Sequence, residues 1–322
     1  MSSTFLIVIA KPGAPSLTEL GRLPKSLRVL VSEDPEQLKA QAPEADAVLY
    51  AHGSPDLLTE VLRQAKRLRW VHSLWTGVES ILTPELRNHP AALTNGRGVF
   101  RWPLADWVVG VMLSFAFDFR RIISQQEQAE WKPFVGSTLH GRTLGIVGYG
   151  SIGSAIAERA RPFGMKIAAL RRRQELSAGD PQVDVSYAKT QLKDLMASSD
   201  YVVAVTPLTE ETKGMIGATE IDAMKPTAIF INIGRGPVVD EGALVRALQA
   251  GRIRGAALDV FSTEPLPREH PFWKMSNVLL SPHTADRIEG FLEPAFECFF
   301  ENLARFERGE ALTNEVDKNA GY

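Results

Sequence analysis

Thr143-Leu144-Gly145-Ile146-Val147-Gly148-Tyr149-Gly150-Ser151-Ile152-Gly153 is the stretch whose reading decides the fold. A buried apolar run leads into G-x-G-x-x-G. Ser154–Arg161 continues with helical spacing to Pro162-Phe163-Gly164, and a second apolar run follows at Met165–Leu170. Strand, glycine turn, helix and strand within about 30 residues form the pattern of a dinucleotide-binding βαβ unit. Each glycine has its own duty. Gly148 permits the tight turn, Gly150 lets the backbone approach a pyrophosphate, and Gly153 lets the helix lie close on the strand. The helix N-terminus, with Tyr149, Gly150, Ser151 and Ile152 around it, offers N–H groups to the anion.

The end of the second strand separates NAD from NADP. An NAD site wants a carboxylate there for the ribose 2′-hydroxyl. This chain has Leu170-Arg171-Arg172-Arg173 instead. A carboxylate would repel a 2′-phosphate, whereas guanidinium groups bind it bidentately and stack on adenine. The expected cofactor is NADP, with NAD as the alternative.

Outward from this unit, apolar runs and helical segments keep alternating. Phe5–Ala10, Arg28–Val31, Asp46–Tyr50, Trp70–Leu74 and Ala92–Thr94 read as strands. Asp34–Gln41, with Asp34 as N-cap and Pro35 in the first turn, and Thr59–Leu68 read as helices. Such alternation predicts parallel sheets with helices on their faces. Near Gly96 the texture changes to Gly96-Arg97-Gly98-Val99-Phe100-Arg101-Trp102-Pro103, followed by one long apolar helix from Leu104 to about Gln128. A last helix, about Ile288 to Glu307, closes the chain. The expected architecture is α/β: two Rossmann-like, doubly wound parallel-sheet domains with a cleft between them, where a ligand binds. Residues 1–97 plus 286–322 form one domain and 98–285 the other.

Composition narrows the function. The chain has 322 residues, with 36 Lys and Arg against 38 Asp and Glu, a net charge of −2. That balance leaves no footprint for nucleic acid or an anionic membrane. The single cysteine, Cys298, excludes an internal disulfide and a multi-cysteine zinc site, and its apolar surroundings read as core. His52, His72, His89, His140 and His270 lack metal-ligand spacing and read as structural, so no metal is expected. The N-terminus has no early positive charge and reads as a first strand, not a signal peptide. The apolar stretch Leu104–Phe119 contains Asp106 and Asp118 and falls short of a membrane span. The expectation is a cytoplasmic protein.

Three further strand ends carry chemistry. Phe230-Ile231-Asn232-Ile233-Gly234-Arg235-Gly236 delivers an arginine between two glycines. Ala256–Phe261, containing Asp259, leads to Ser262-Thr263-Glu264-Pro265. Val278-Leu279-Leu280-Ser281-Pro282-His283-Thr284-Ala285 places a histidine just past a strand. Open α/β sheets bind ligands at this carboxyl edge.

This ordered set resembles the D-isomer-specific 2-hydroxyacid dehydrogenase family. Three blocks carry the resemblance: Leu144–Gly153; Leu192–Ile216 with Ser199-Asp200 and Thr206-Pro207-Leu208-Thr209; and Met224–Asp240 with Asn232-Ile233-Gly234-Arg235-Gly236. The resemblance implies a hydride transfer between NADP(H) and a 2-keto acid/D-2-hydroxy acid pair, with a flavodoxin-like substrate domain beside the dinucleotide-binding one. Arg235 would grip the substrate carboxylate and polarise the keto oxygen. His283 would act as general acid in reduction and base in the reverse, and Glu264 would orient the imidazole and favour its protonated form. Asp259 would contact the nicotinamide carboxamide. Thr206, Pro207, Thr212, Ile233 and Ala285 would line the cofactor, and the backbone N–H groups of Gly77 and Val78 would meet the substrate carboxylate. Two departures stand out: Arg171 replaces the expected acid, and Val205-Thr206-Pro207 replaces His-x-Pro. The alternatives are a glyoxylate/hydroxypyruvate reductase branch of the same family and a dinucleotide-sensing, corepressor-like binding protein. Trp75 and Trp102 flank the expected cleft. The apolar helix needs cover, and the family commonly pairs there, so a homodimer is expected.

Overall fold

The computed structural model describes residues 4–173 and 179–322; the first three residues of the N-terminal reading lie outside this range. The chain divides into two compact units, Met1–Phe100 with Ile288–Tyr322, and Arg101–Arg287.

The first unit holds β1 (Phe5–Ile9), β2 (Arg28–Ser32), α1 (Pro35–Gln41), β3 (Ala47–Tyr50), α2 (Pro55–Gln64), β4 (Trp70–Ser73), α3 (Pro84–Asn88) and β5 (Ala92–Asn95). The strands form one parallel sheet in the order β2-β1-β3-β4-β5, with Leu6 level with Val29 on one side and Ala47 on the other. Helices cover both faces, so central strands read as unbroken apolar runs; every residue of β1 and β3 is buried. The helix starts are written in caps. Asp34 accepts the N–H groups of Glu36 and Gln37, Ser54 accepts from Asp56, Thr83 accepts from Leu86, and each is followed by proline. Ser54-Pro55 thus starts α2 four residues before the expected Thr59. The end of the chain returns to this unit. There Phe296, Phe299 and Leu303 are buried, and Trp70 stacks on Phe299 with ring centroids 5.6 Å apart.

His72 in β4 is wholly buried. Trp70 Nε1 donates to Thr94 Oγ1 at 2.8 Å, and His72 Nδ1 lies 2.7 Å from the same oxygen. The Thr94 hydroxyl thus links both rings, and Nε2 of His72 has no partner among the described residues. Burial lowers the His72 pKa to about 3.

The second unit holds α4 (Arg101–Phe117), α5 (Phe119–Glu127), β6 (Thr143–Val147), α6 (Ser151–Ala160), β7 (Lys166–Leu170), β8 (Val185–Tyr187), α7 (Leu192–Ser198), β9 (Tyr201–Ala204), α8 (Ala218–Ala223), β10 (Ile229–Asn232), α9 (Glu241–Gln249), β11 (Gly255–Leu258) and β12 (Val278–Leu280). Its sheet is parallel throughout, in the order β12-β11-β10-β9-β6-β7-β8. The order reverses between β6 and β9, the switch point where such sheets open a ligand crevice. The last helix, α10 (Glu293–Arg308), belongs to the first unit.

Other boundaries differ from the sequence reading as well. The long helix is broken in two at Asp118, which takes left-handed angles (φ 51°, ψ 55°) and caps α5 by accepting the Arg121 N–H. Aspartate tolerates that conformation and makes that cap, so the break is local chemistry that apolar periodicity hides. The first division between units falls at Phe100/Arg101 instead of residue 97. Val99 N bonds back to Gly96 O, and the Phe100 ring stacks on Trp75 at 6.3 Å, which keeps the turn in the first unit. The second falls after Arg287, because Asp259 holds Thr284 and Ala285 and Arg287 N bonds to Thr284 O. Among the described residues no single helix is long and apolar enough to cross a membrane; α4 and α5 reach that length only together, bent by 62°.

Candidate active site

The glycine turn lies beside the switch point. Gly148 has φ +107°, and a Cβ there would sit 2.9 Å from the Thr206 backbone nitrogen, just past the end of β9. A Cβ on Gly153 would meet Gly148 O at 2.6 Å, so that glycine lets α6 lie against the turn. Gly150 is different: it is exposed, and a Cβ would meet nothing within 4 Å. It caps α6 without a side-chain bond, and the first N–H groups of the helix have no intrahelical acceptor. Two glycines are closed and the middle one faces open space with helix donors beside it. The residues fit a pyrophosphate, and hence a dinucleotide.

Around this turn, Tyr149 is buried, and its hydroxyl donates to Asp180 Oδ2 at 3.1 Å. Burial, together with the neighbouring carboxylate, holds its phenol well above the usual range. Ser151 and Ile152 are half-buried in the first turn of α6. Arg171 follows β7 half-buried, with Arg172 and Arg173 exposed beyond it. Thr206 is buried with Oγ1 lacking a partner among the described residues, and Pro207 is exposed. The Thr212 hydroxyl donates to Pro207 O at 2.6 Å and accepts the Thr209 N–H at 2.8 Å, so it staples the loop that follows β9. Ile233 is buried with its N–H on Ala204 O.

Arg235 rides on a turn gripped from both sides. A Cβ on Gly234 would lie 2.8 Å from Thr206 O, and one on Gly236 would lie 1.9 Å from the Phe261 carbonyl carbon. Buried Asn232 braces the turn from within: Oδ1 accepts the Gly234 N–H at 3.1 Å, and Nδ2 donates to Arg235 O at 3.3 Å. The guanidinium is half-buried and donates to Gly234 O at 2.7 Å.

Glu264 and His283 meet. Nδ1 of His283 lies 2.7 Å from Glu264 Oε2, and both side chains are part-exposed. His283 has φ 53°, a left-handed angle held by its N–H bond to Asp259 O at 2.9 Å. Asp259 is 2% exposed, and its Oδ1 accepts three bonds, from the Ser281 hydroxyl at 2.6 Å, Thr284 N at 2.8 Å and Ala285 N at 3.1 Å. Asp259 thus holds the loop that presents His283. Burial raises the carboxyl of Asp286, next along, above its usual range.

In the first unit, Gly77 and Val78 lie past β4. The loop is anchored by Trp75 Nε1 on Ala51 O (2.9 Å), Thr76 Oγ1 on Gly96 O (2.9 Å) and Asn95 Nδ2 on Thr76 O (2.6 Å). Among the described residues the N–H groups of Gly77 and Val78 donate to nothing.

Residues 109–285 match the family described as D-isomer specific 2-hydroxyacid dehydrogenase, NAD binding domain. The chain belongs to the D-isomer-specific 2-hydroxyacid dehydrogenase family. A glyoxylate reductase from Korarchaeum cryptofilum is 38% identical over 270 residues, 80% of this chain and 79% of the relative. A glyoxylate/hydroxypyruvate reductase B from Enterobacter sp. is 36% identical over 322 residues, 95% of this chain and 97% of the relative. Among solved structures, an NADPH-dependent glyoxylate/hydroxypyruvate reductase from Sinorhizobium meliloti, in complex with NADP and sulfate, superposes with a TM-score of 0.87 at 27% identity. It covers 99% of this chain and 100% of its own. As a member of this family, the protein is an oxidoreductase that transfers a hydride between a nicotinamide dinucleotide and a 2-keto acid/D-2-hydroxy acid pair.

Sequence reading missed the brace at Asn232, although the residue stood inside the quoted Asn-Ile-Gly-Arg-Gly.

Proposed function

We propose that the protein reduces a small 2-keto acid, glyoxylate or hydroxypyruvate foremost, with NADPH as the preferred reductant. The observation that carries the reading is the Glu264–His283 contact of 2.7 Å, with Arg235 on a turn packed against Phe261, whose N–H the same glutamate accepts. A dinucleotide held by its pyrophosphate at the glycine turn would supply the hydride for C2 of the acid. The remaining work falls to the chain. Arg235 holds the substrate carboxylate and polarises the keto oxygen. Glu264 engages Nδ1 of His283, which leaves Nε2 to hold a proton and pass it to that oxygen. Asp259 keeps the His283 loop in place, and its second oxygen is the one to meet the carboxamide. In the first unit, the N–H groups of Gly77 and Val78 are left to donate to a carboxylate. Arg171, Arg172 and Arg173 take the 2′-phosphate, in keeping with the NADP bound by the Sinorhizobium relative.

The same reading takes the chain as a homodimer. Phe117, Phe119, Ile122 and Ile123 are exposed around the α4–α5 break, with Trp131 and Val135 almost fully so. Such an apolar patch marks an interaction surface. Ile123→Lys, compared by light scattering, is expected to give monomers.

The function is tested by following reduced-nicotinamide absorbance with glyoxylate, hydroxypyruvate, pyruvate and phenylpyruvate, using NADPH and NADH in turn. Consumption that needs a keto acid, is faster with NADPH and disappears in Arg235→Ala is expected. Equal or faster rates with NADH would remove the NADP assignment, and no keto-acid dependence would remove the activity.

A further inference from the structure

Glu241 opens α9 directly after the Arg235 turn, and both oxygens of its carboxylate reach the loop that carries Glu264. Oε2 accepts the N–H of Ser262 at 3.0 Å, and Oε1 lies 3.4 Å from Nε2 of His270. Ser262 and His270 are the two ends of that loop. The histidine is set for this contact. Its Nδ1 accepts the N–H of Phe272 at 3.3 Å, so in the neutral ring the hydrogen is on Nε2, the nitrogen next to the carboxylate. Its ring also lies 4.6 Å from that of Phe272, which is 1% exposed. Glu241 and His270 are 22% and 17% exposed at the side chain, against 35% and 45% for Glu264 and His283. The remote pair is therefore better shielded from water than the reacting one.

The loop's backbone sets the position of Glu264. Glu264 Oε1 accepts the Phe261 N–H at 2.9 Å, so its carboxylate is tied to the strand end at Phe261. Gly236 packs on the Phe261 carbonyl, and Glu241 holds the next residue, Ser262. One short segment, Gly234–Glu241, thus bears the arginine and also fixes both ends of the loop that aims Glu264 at His283.

We propose that Glu241 is a positioning residue for the acid–base pair: it clamps Ser262 and His270, and through that loop it keeps Glu264 against His283. The inference rests on the reductase reading for its effect on turnover, but the clamp itself is a property of the folded chain. Groups that set the geometry of reacting residues are worth on the order of ten- to a hundredfold in rate.

The test uses the full-length protein, with Glu241→Ala and Glu241→Gln made alone and with Glu264→Gln. In the cofactor-free protein, amide hydrogen exchange at residues 261–272 is expected to rise by on the order of tenfold in Glu241→Ala, with the strands of the same sheet unchanged. In turnover, kcat falls on the order of ten- to a hundredfold while KM for the keto acid stays within about twofold. Glu241→Gln, whose amide oxygen still accepts from Ser262, recovers most of the loss. Added to Glu264→Gln, Glu241→Ala lowers kcat by less than about twofold more, because the two act in one chain. Unchanged exchange in the loop, or kcat losses that multiply independently, would overturn the proposal. A wild-type protein inactive on every keto acid would defeat the reductase reading instead, and the exchange result would still decide the clamp.

Discussion

Oε2 of Glu264 lies 2.7 Å from Nδ1 of His283, while the other oxygen of the same carboxylate holds the Phe261 N–H at 2.9 Å. The imidazole is therefore oriented by an anion that is itself fixed to backbone. In Glu264→Gln the amide would donate to Nδ1, and passing on the Nε2 proton would leave an unfavourable imidazolate. Steady-state kinetics should show kcat reduced by about 10²–10³-fold with KM for the keto acid little changed. An unchanged kcat would contradict the assignment.

Asp259 predicts a mixed loss of stability and activity. Its buried Oδ1 gathers three donors from the loop around His283. Asp259→Ala leaves them without their shared acceptor and should lower unfolding free energy by about 2–4 kcal/mol in a denaturant titration. Asp259→Asn retains an acceptor and should recover much of the stability. Equal stability of the alanine variant and the wild type would show that the loop is held otherwise.

The glycines separate folding from binding. Gly236→Ala would drive a Cβ to 1.9 Å from the Phe261 carbonyl carbon, so little folded protein is expected on expression and circular dichroism. Gly150→Ala meets open space and should keep a melting temperature close to wild type. It should nonetheless weaken NADP binding in a calorimetric titration, because the methyl occupies the approach of the pyrophosphate. Unaltered binding would move the cofactor away from this turn.

His72 predicts acid sensitivity. Its folded pKa is lowered to about 3 by burial, from an ordinary value of 6.5. Between these values the unfolded chain binds a proton that the folded chain does not, so stability falls as pH drops below 6.5. The fall levels off near pH 3. The contribution between pH 7 and pH 5 is about 2 kcal/mol. Urea titrations should give a flatter dependence over that range in His72→Phe. The same slope in both proteins would rule His72 out.

Much of this was legible because it is written locally. The turn Gly148–Gly153, the Asp34-Pro35 cap and the apolar runs of β1 and β6 each state their structure within a few residues. The order of Arg235, Glu264 and His283 could be read as three strand ends, and the fold places Glu264 against His283. What stayed hidden depends on contacts between segments far apart in sequence. The Glu241 contacts with Ser262 and His270 span more than 20 residues, and the Gly236–Phe261 approach is a matter of strand neighbours. The bend at Asp118 was masked because Phe117, Phe119, Ile122 and Ile123 continue apolar residues across it at helical spacing, and a single left-handed aspartate leaves that spacing intact.

The central claim is tested most directly by the configuration of the product. Hydroxypyruvate and NADPH are incubated with the protein, and the glycerate formed is resolved by chiral chromatography. The wild type should give D-glycerate alone, and Arg235→Ala and His283→Ala none. L-glycerate, or D-glycerate formed undiminished without Arg235, would contradict it.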